Sequence, residues 1–427
     1  REELVKNLPH SKVLHTIDER EQICDNCGST MVKVGEEFVR TEVQFIPAKL
    51  KVIDHYRETY ECRSCRKNGT PYMEKAPVPY PPVLHSLASA STITWLIHQK
   101  FELSIPLYRQ EKEWEALGLR LSRATMSNWL LVVYRDWLVH IVHRLKLELL
   151  KQRYLHIDET HVQVLKEPGR KNTSDSYMWV YCSIRDAVNP IRYFEYQPGR
   201  SGKYPEAFLR EYEGYIHTDA YSGYNAVSGV KRCLCYTHLR RAFVDALPKD
   251  IHNSEASKPA EAILRLNQLF NIESELEALP HDKKKKERLI REKPLLEAFW
   301  SWAEKSAIGE LPKSKLSKAF HYALNNREGF WNYLEDGNCS ISNSLAENCI
   351  RPFVIGRKNW LFSGSPKGAE ASAGIYTLVE TAKANGLAPM KYIKYILSDM
   401  PGSAFLEHPE YLDDYLPWNP LVKEFCR

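Results

Sequence analysis

Three acidic residues stand in settings where a carboxylate is unusual, and carboxylates are the groups that hold Mg²⁺ in proteins. Asp158 lies within an apolar run, as on the central strand of a sheet, and Asp219 ends a second strand-like run, Tyr215–Asp219. Glu347 lies in a segment expected to be a short helix that Pro352 ends or kinks. Two Mg²⁺ or Mn²⁺ ions held by such acids clamp the attacking and leaving oxygens of a phosphoryl displacement. The three acids therefore predict metal-dependent phosphoryl transfer.

Each acid also has an ordinary structural interpretation. Asp158 could be a strand-end acid that pairs with Arg192 or another cation. A bulge could lie near it, because the apolar alternation slips along its strand. Asp219 could be a turn residue, since aspartate side chains bond to nearby backbone amides. Glu347 lies three residues after Ser344, which is the spacing of a capping box. The spacing of the acids along the chain does not decide between these interpretations.

Four cysteines form two Cys-x-x-Cys pairs, namely Cys24, Cys27, Cys62 and Cys65. Two residues between cysteines let one turn aim both thiolates at one ion, and four thiolates make the tetrahedral set of a structural Zn²⁺. The segments 38–46 and 49–57 between the pairs read as paired strands, so we predict a zinc-ribbon-like module. Four free buried thiols are the alternative.

A helix, a short turn and a second helix follow, which is the order of a helix-turn-helix motif. The first helix is expected over Ser104–Leu117, Gly118 makes the turn, and Ser122 caps the second helix. In that geometry three polar residues of the second helix face a DNA groove: Arg123, Ser127 and Asn128. Trp129 and Leu130 pack inward. A plain helical hairpin with a solvated second helix is the alternative.

The composition is that of an ordinary folded chain. Of 427 residues, 43% are hydrophobic and 26% charged, which excludes a disordered, collagen-like or wholly coiled-coil protein. The net charge of +5 is too small to establish a polyanionic partner. No apolar run approaches the ~18 residues of a membrane span, and Arg1–His10 lacks the apolar core of a secretory signal. Because the chain starts with Arg1 and not Met, we expect residues upstream.

The ten cysteines are too dilute for a disulfide scaffold, so we expect a reducing compartment.

Beyond these features, several segments match a known family in order. They are the two Cys-x-x-Cys pairs, Leu107–Gln110, Leu121–Thr125, Asp158–Thr160, Asp219–Tyr224, Asn343–Ser365 and Leu416–Asn419. From about Cys24 onward, the chain resembles the transposases of the insertion sequence 66 family. Family members usually carry a leucine-zipper-like segment before the zinc module. We do not find that segment, so we expect recognition of the transposon ends or oligomerisation to be impaired if the chain is complete.

The resemblance implies a DDE-type transposase of a bacterial insertion sequence, which cuts transposon ends and joins the 3′-OH to target DNA. It implies an α/β multidomain fold: an RNase H-like catalytic core with a helical insertion, preceded by the zinc-ribbon-like module and the helix-turn-helix-like region. The catalytic, Mg²⁺-binding residues carried over are Asp158, Asp219 and Glu347. The implied cofactors are two Mg²⁺ (or Mn²⁺) ions per active site and one structural Zn²⁺ on the four cysteines.

The family's Cys-x-x-His pattern matches Cys235–His238, and His238 is expected to support the site by orienting an acid or a phosphate. A satisfied core histidine, or a second metal site with Cys233 and Cys235, is the alternative. Three basic residues after the glutamate are expected to hold the DNA backbone: Arg351, Arg357 and Lys358. A charge run farther upstream could bind phosphates or be only a solvated face: Lys283–Lys286, Arg288, Arg291 and Lys293.

We expect six segments: a zinc-binding module (1–80), a helical DNA-binding region (81–150), the first part of the catalytic core (151–254), a helical insertion (255–338), the second part of the core with the glutamate helix (339–388), and a C-terminal tail (389–427). The expected partners are DNA (terminal inverted repeats and target), further copies of the chain assembled on DNA and element-encoded accessory proteins, with no membrane. The expected location is the bacterial cytoplasm, at the nucleoid. The alternative function is a DNA-binding regulator or domesticated transposase-derived protein without catalysis.

Overall fold

The computed structural model describes residues 11–18, 20, 22, 24–41, 49–248 and 257–427. The chain divides into two compact units, Arg1–Lys49 and Leu50–Arg427, which are described separately. In the described ranges, no helix combines the length and the apolar character that crossing a membrane requires.

The prediction of paired strands between the two cysteine pairs is wrong for the described residues of that segment. Residues 38–41 and 49–57 form no strand, and 42–48 lie outside the described residues. The strands lie instead on either side of the second cysteine pair: β1 (Thr59–Glu61) and β2 (Met73–Lys75), joined through a short helix, α1 (Arg63–Lys67). Residues 49–57 are exposed on both faces, so their alternation has nothing to pack against, and a strand without a partner is not stable.

The predicted helical region is confirmed. It comprises α2 (Ala90–Ile97), a π-helical turn (His98–Glu102), α3 (Leu107–Ala116), α4 (Arg123–Val133), a second π-helical turn (Tyr134–Leu138) and α5 (Val139–Leu150). Between α3 and α4, Gly118 has a φ of +91°, which glycine adopts without strain. The Ser122 side chain caps α4 by accepting a hydrogen bond from the Thr125 N–H at 3.1 Å. The helix-turn-helix order of the elements is therefore present.

A mixed sheet forms the centre of the second unit, in the order β5–β4–β3–β6–β7. Its strands are β3 (Tyr154–Val164), β4 (Asp175–Ser183), β5 (Arg192–Gln197), β6 (Gly214–Thr218) and β7 (Val230–Leu234), and a short β8 (Phe362–Ser363) pairs with the end of β3. The first three strands are antiparallel, and β6 and β7 run parallel to β3. The register of β3 with β4 runs from Leu155 to Gln163 without interruption, so the predicted bulge is wrong. The apolar alternation slips because β3, in the middle of the sheet, has buried residues on both faces.

The charged, helical part of the chain builds a second apolar core beside the sheet. After α6 (Lys203–Phe208) and α7 (Tyr236–Val244), its helices are α8 (Lys258–Glu275), α9 (His281–Arg291), α10 (Lys293–Ala307), α11 (Lys315–Asn325) and α12 (Arg327–Trp331). Arg288 is fully buried, pairs with the Glu273 carboxylate and donates to the Cys339 carbonyl. The inclusion of Arg288 in a phosphate-binding face is therefore wrong, because its guanidinium is occupied inside the protein.

The glutamate segment forms one long helix, α13 (Ser344–Trp360), followed by α14 (Pro366–Ala384), α15 (Pro389–Asp399) and α16 (Pro420–Cys426). The segment was predicted to be a short helix that Pro352 ends or kinks; Pro352 lies inside the 17-residue α13, so the helix is neither short nor ended there. An interior proline costs about 3 kcal/mol. Burying one large apolar side chain recovers about 1.5–3 kcal/mol, and α13 buries both Ile350 and Phe353. Packing against the sheet therefore carries the helix through the proline.

Candidate active site

Two parallel strands bring Asp158 and Asp219 together. The register between β3 and β6 pairs His156 with His217. Each aspartate lies two residues beyond its histidine, so both project from the same face at the same level of the sheet. Asp158 lies within β3, and Asp219 follows the last residue of β6, as the sequence predicts. Repulsion between them is visible in the pKa of Asp158, which the Asp219 charge raises.

The two histidines behind the aspartates are structural. Their rings stack with centroids 4.2 Å apart, and both side chains are buried. His217 accepts the Ser340 N–H at Nε2 (2.9 Å), so its Nδ1 carries the proton that it donates to the Leu155 carbonyl (3.1 Å). Burial lowers the pKa of His156 well below its usual value, which keeps that ring neutral. The pair therefore fixes the segment that precedes Glu347 onto β3 and β6.

Asn343 places the start of the glutamate helix directly over β3. Its side-chain N–H donates to the Ile157 carbonyl (2.7 Å), and its Oδ1 lies 3.0 Å from His156 Nδ1. Its backbone N–H donates to Cys235 Sγ at 3.1 Å. Asn343 thus contacts Ile157, the residue before Asp158, and Glu347 lies one helical turn after Asn343. After burial and the nearer Glu159 charge, the charge of Glu347 also raises the pKa of Asp158, which indicates that the helix brings Glu347 within electrostatic range of that strand acid.

Burial and crowding of the acids disfavour the ionised form of Asp158. Burial, first of all, and then the neighbouring carboxylates raise the pKa of Asp158 to about 8. The Glu347 Oε1 atom is buried without a hydrogen-bond partner among the described residues, and so is His238 Nδ1, 3.6 Å away. Carboxylate oxygens are the ligands that Mg²⁺ and Mn²⁺ prefer, and Glu347 Oε1 is a buried one that lacks a partner among the described residues. The residues present therefore fit a divalent cation.

The structure contradicts the structural alternatives for Asp158 and Glu347 and supports the one for Asp219. Arg192 donates to the Ser183 carbonyl (2.8 Å) and not to Asp158, so that pairing is wrong. The N-cap of α13 is Asn343 and not Ser344, which rules out the capping box for Glu347. Asp219 does make a turn, because its Oδ1 accepts the Tyr221 N–H at 2.9 Å. That bond leaves its second carboxylate oxygen available.

Sequence reasoning missed several residues that organise the site. Arg232 on β7 donates to the carbonyls of Asp219 (2.6 Å) and Tyr221 (2.8 Å) and so fixes the loop after β6. Glu159, next to Asp158, is held by Arg200 and Tyr224. The repeated His-x-Asp pattern of the two strands was the one available signal for the histidines. Nothing local marks the arginines, because their partners are distant in sequence.

The predicted DNA contacts lie in two places. On α4, Arg123 and Asn128 are exposed and Ser127 is half-buried, while Trp129 and Leu130 are buried as predicted. On α13, three basic residues are at least partly accessible: Arg351, Arg357 and Lys358. Arg357 and Lys358 line an open cleft of about 550 Å³ at the far end of the helix. Arg357 also donates to Thr160 Oγ1 at 3.0 Å, so part of its guanidinium serves the fold.

The second metal site considered for Cys233, Cys235 and His238 is not assembled. Cys235 and His238 cluster with Glu347, whereas Cys233 lies with His217 and Cys339. Both ring nitrogens of His217 are already hydrogen-bonded, and the Arg288 guanidinium contacts the Cys339 carbonyl. A cation is therefore disfavoured at the cysteine cluster that contains His217.

Each predicted zinc-binding cysteine pair is formed within its own unit. In the first, the Gly28 N–H donates to the Cys24 carbonyl (2.8 Å), and hydrogen bonds from Ser29 and then Cys24 lower the pKa of Cys27. In the second, hydrogen bonds from Cys65 lower the pKa of Cys62. In the second pair the bond with Cys62 raises the pKa of Cys65, so one thiol of each pair, Cys27 or Cys62, has the lowered pKa that suits a thiolate ligand.

Removing the Asn343 side chain is expected to misplace Glu347. We expect Asn343→Ala to lower metal-dependent activity about 10–100-fold, the usual effect of losing a group that orients a ligand. The substitution also leaves the buried Ile157 carbonyl unpaired. The matched control is Asn359→Ala, near the other end of α13, where the side chain donates only to the Ile355 carbonyl of its own helix. Equal activity of the two variants would contradict the positioning role.

The raised pKa of Asp158 predicts that the metal-free protein loses stability as the pH rises. The unfolded carboxyl titrates at 3.8 and the folded one at about 8, so between these values the folded state holds a proton that the unfolded state has lost. The free energy of unfolding should then fall by up to about 1.4 kcal/mol per pH unit. Chemical denaturation in magnesium-free buffer at pH 6, 7 and 8 measures the slope. Asp158→Asn should flatten it, and parallel slopes would contradict the assignment.

Comparison with known proteins gives two matches to described families. The family described as "Transposase IS66 family" matches residues 85–371, which include all three acids. The "zinc-finger binding domain of transposase IS66" matches residues 21–66, which include all four cysteines. Among curated proteins, "Uncharacterized protein y4hP" of Sinorhizobium fredii is 27% identical over 417 residues, covering 92% of this chain and 73% of the relative. "Uncharacterized protein y4jD" of the same organism is 26% identical over 430 residues, covering 97% and 81%.

Proposed function

We propose that this chain, which belongs to the transposase IS66 family, cuts the ends of a bacterial insertion sequence and joins their 3′-OH groups to target DNA. Membership in a transposase family implies DNA as the substrate. The observation that carries the finer proposal is the meeting of Asp158, Asp219 and Glu347 from two parallel strands and the helix across them. A protein that only binds DNA has no use for three mutually repelling carboxylates.

We assign the sheet to an RNase H-like catalytic core. Three antiparallel strands followed by two that run parallel to β3 support this assignment, as do the acid on the central strand and the second acid at the end of its parallel neighbour. The helices α8–α12 are then an insertion between the second aspartate and Glu347. This connectivity keeps the catalytic acids on one continuous framework while the insertion has its own core.

Asp158, Asp219 and Glu347 would hold two Mg²⁺ or Mn²⁺ ions. When bound, such ions activate the attacking oxygen and stabilise the charge on the leaving oxygen. Asp158 gives up its proton when it becomes a ligand. The strands hold the two aspartates at a fixed separation, and Asn343 and the histidine pair hold Glu347 over them. The reaction needs no covalent intermediate, because the nucleophile is water in the first step and the transposon 3′-OH in the second.

His238 is proposed to orient Glu347. Its Nδ1 atom lies 3.6 Å from the unsatisfied Glu347 Oε1, and Arg241 Nη2 lies 4.0 Å from the other carboxylate oxygen.

The proposed DNA-binding residues are Arg123, Ser127 and Asn128 on α4, with Arg351, Arg357 and Lys358 on α13. The four cysteines of the zinc-finger match are proposed to hold one structural Zn²⁺. We further propose assembly of several copies on DNA at the bacterial nucleoid, with accessory proteins encoded by the element.

A strand-transfer assay tests the proposal. The purified chain is incubated with Mn²⁺, a labelled duplex that carries the insertion-sequence end and a supercoiled target plasmid. We expect cleavage at the end followed by covalent joining of its 3′ strand to the plasmid. Nicked DNA without joining would indicate a nuclease of another class. DNA binding without any cleavage would favour the alternative, a regulator derived from a transposase.

A further inference from the structure

An arginine that no part of the catalytic assignment uses stands beside the acids. Arg200 lies in the loop between β5 and α6, and its Nε donates to Glu159 Oε1 at 2.6 Å. Its Nη2 lies 2.6 Å from the same Glu159 oxygen and 3.9 Å from Asp219 Oδ2. The guanidinium therefore lies between a buried carboxylate next to Asp158 and a catalytic carboxylate.

The loop of Arg200 is fixed to the loop that follows Asp219. The Tyr221 hydroxyl donates to the Arg200 carbonyl at 2.6 Å, and the guanidinium carbon lies 3.9 Å from the centre of the Tyr221 ring. At Gly202 the two loops touch backbone to backbone, since a Cβ there would lie 2.2 Å from the Gly223 oxygen. Both the backbone and the side chain of Arg200 are therefore held in place.

Both carboxylate oxygens of Glu159 are engaged by protein donors, so this acid serves to hold Arg200. One of its carboxylate oxygens accepts from Arg200, and the other accepts from the Tyr224 hydroxyl. Its side chain is only 1% exposed. Its charge also contributes to the raised pKa of Asp158, so its presence opposes the ionised form of the catalytic acid. The presence of Glu159 beside Asp158, despite this unfavourable effect, is explained if the function needs the arginine that Glu159 holds.

One edge of the guanidinium remains available. Glu159 occupies Nε and Nη2, and no acceptor among the described residues bonds to Nη1. The Arg200 side chain is 41% exposed. A fixed, partly desolvated guanidinium with a free edge matches the geometry of a phosphate oxygen better than a mobile lysine does.

We propose that Arg200 binds a backbone phosphate of the DNA at the catalytic acids, and that Glu159 is the positioning residue that holds Arg200 there. The inference rests on the proposed function, because the phosphate is that of the DNA strand being cut or joined. Arg200 keeps its bonds to Glu159 in both states, and its open edge, which faces solvent in the free protein, binds the phosphate when DNA is present.

The test measures the salt dependence of DNA binding and the rate of cleavage on the full chain. The probe is a 40-base-pair duplex, titrated between 50 and 200 mM NaCl with Ca²⁺ for binding and with Mn²⁺ for cleavage. We expect Arg200→Gln to reduce the slope of log K against log [salt] by about 0.9, the value for one phosphate contact. Its cleavage rate should fall about 10²-fold, as when one preorganised donor is removed from a reacting group.

Matched variants separate a phosphate contact from a structural effect. Arg327→Gln is the control, because Arg327 is 43% exposed and pairs with one carboxylate, that of Glu304 on α10. It should change neither slope nor rate. Arg200→Lys keeps the charge, so it should keep the slope but cleave more slowly. Glu159→Gln should lower the cleavage rate while the salt slope stays within 0.3 of the wild type.

Two outcomes overturn the inference. In the first, Arg200→Gln has the same salt slope of DNA binding and the same cleavage rate as Arg327→Gln. In the second, Arg200→Gln loses cleavage but keeps the salt slope of the wild type. Failure of the proposed function looks different: the wild type would bind DNA with an Arg200-dependent slope and never cut it. A wild type that bound no DNA would overturn both.

Discussion

Asp158→Asn is expected to lower DNA cleavage by on the order of 10⁴-fold, the scale seen when one member of a catalytic constellation is removed. An asparagine keeps the shape of the side chain but cannot supply the anionic oxygen that the cation needs. DNA affinity should stay within about twofold, because the negative charge that is removed is not a contact to phosphate. Cleavage of a labelled end and binding of the same duplex are measured side by side.

The control for this substitution is Asp186→Asn, in an exposed turn after β4. It should cleave like the wild type. Asp219→Asn and Glu347→Gln should fail to cleave as completely as Asp158→Asn does. If Asp158→Asn lost DNA binding and cleavage to the same degree, its role would be in the fold or in binding, and the catalytic assignment would be wrong.

Loss of one zinc ligand is the second large effect that we expect. Structural Zn²⁺ contributes about 10–16 kcal/mol to the folding of small modules. Cys62→Ser should therefore reduce the zinc content from one ion per chain to near zero and unfold the zinc-finger segment. Elemental analysis gives the zinc content, and limited proteolysis should show new cuts within residues 21–66.

The matched control is Cys349→Ala, since Cys349 is a half-buried cysteine outside the zinc-finger match. That variant should keep its zinc. The midpoint of thermal unfolding of the sheet should be unchanged by Cys62→Ser, because the sheet has its own apolar core. A wild-type chain that purifies without zinc and resists proteolysis in that segment would contradict the predicted site.

The sequence predicted the positions of the proposed catalytic acids in the sheet better than it predicted their surroundings. A strand that is apolar on both sides of an acid marks a central strand, and this property is local, so Asp158 and Asp219 were placed correctly. The capping-box spacing of Ser344 and Glu347 was misleading, because the helix begins at Asn343 and not at Ser344. Asn343 is held there by contacts with Ile157 and His156, which lie on a strand distant in sequence. Such contacts depend on strand order, which no short segment encodes.

The errors in secondary structure have the same origin. Pro352 was expected to end or kink a short helix, but the helix continues through it because apolar burial against β3 and β4 outweighs the local propensity. Arg288 lies in a run of lysines that looks solvated, yet it is the buried member of that run because Glu273 and several carbonyls face it. In each case tertiary packing, invisible in a single segment, decided the outcome.

The most direct test of the central claim is a crystal structure of the protein soaked in Mn²⁺, with the metal located by anomalous scattering. We expect one or two Mn²⁺ ions bound by carboxylate oxygens of Asp158, Asp219 and Glu347 at about 2.0–2.2 Å. Arg200 should remain on Glu159 and not join the metal ligands. The absence of Mn²⁺ from the acids at saturating concentration, with Asp158 and Asp219 too far apart to share an ion, would contradict the proposal of metal-dependent phosphoryl transfer.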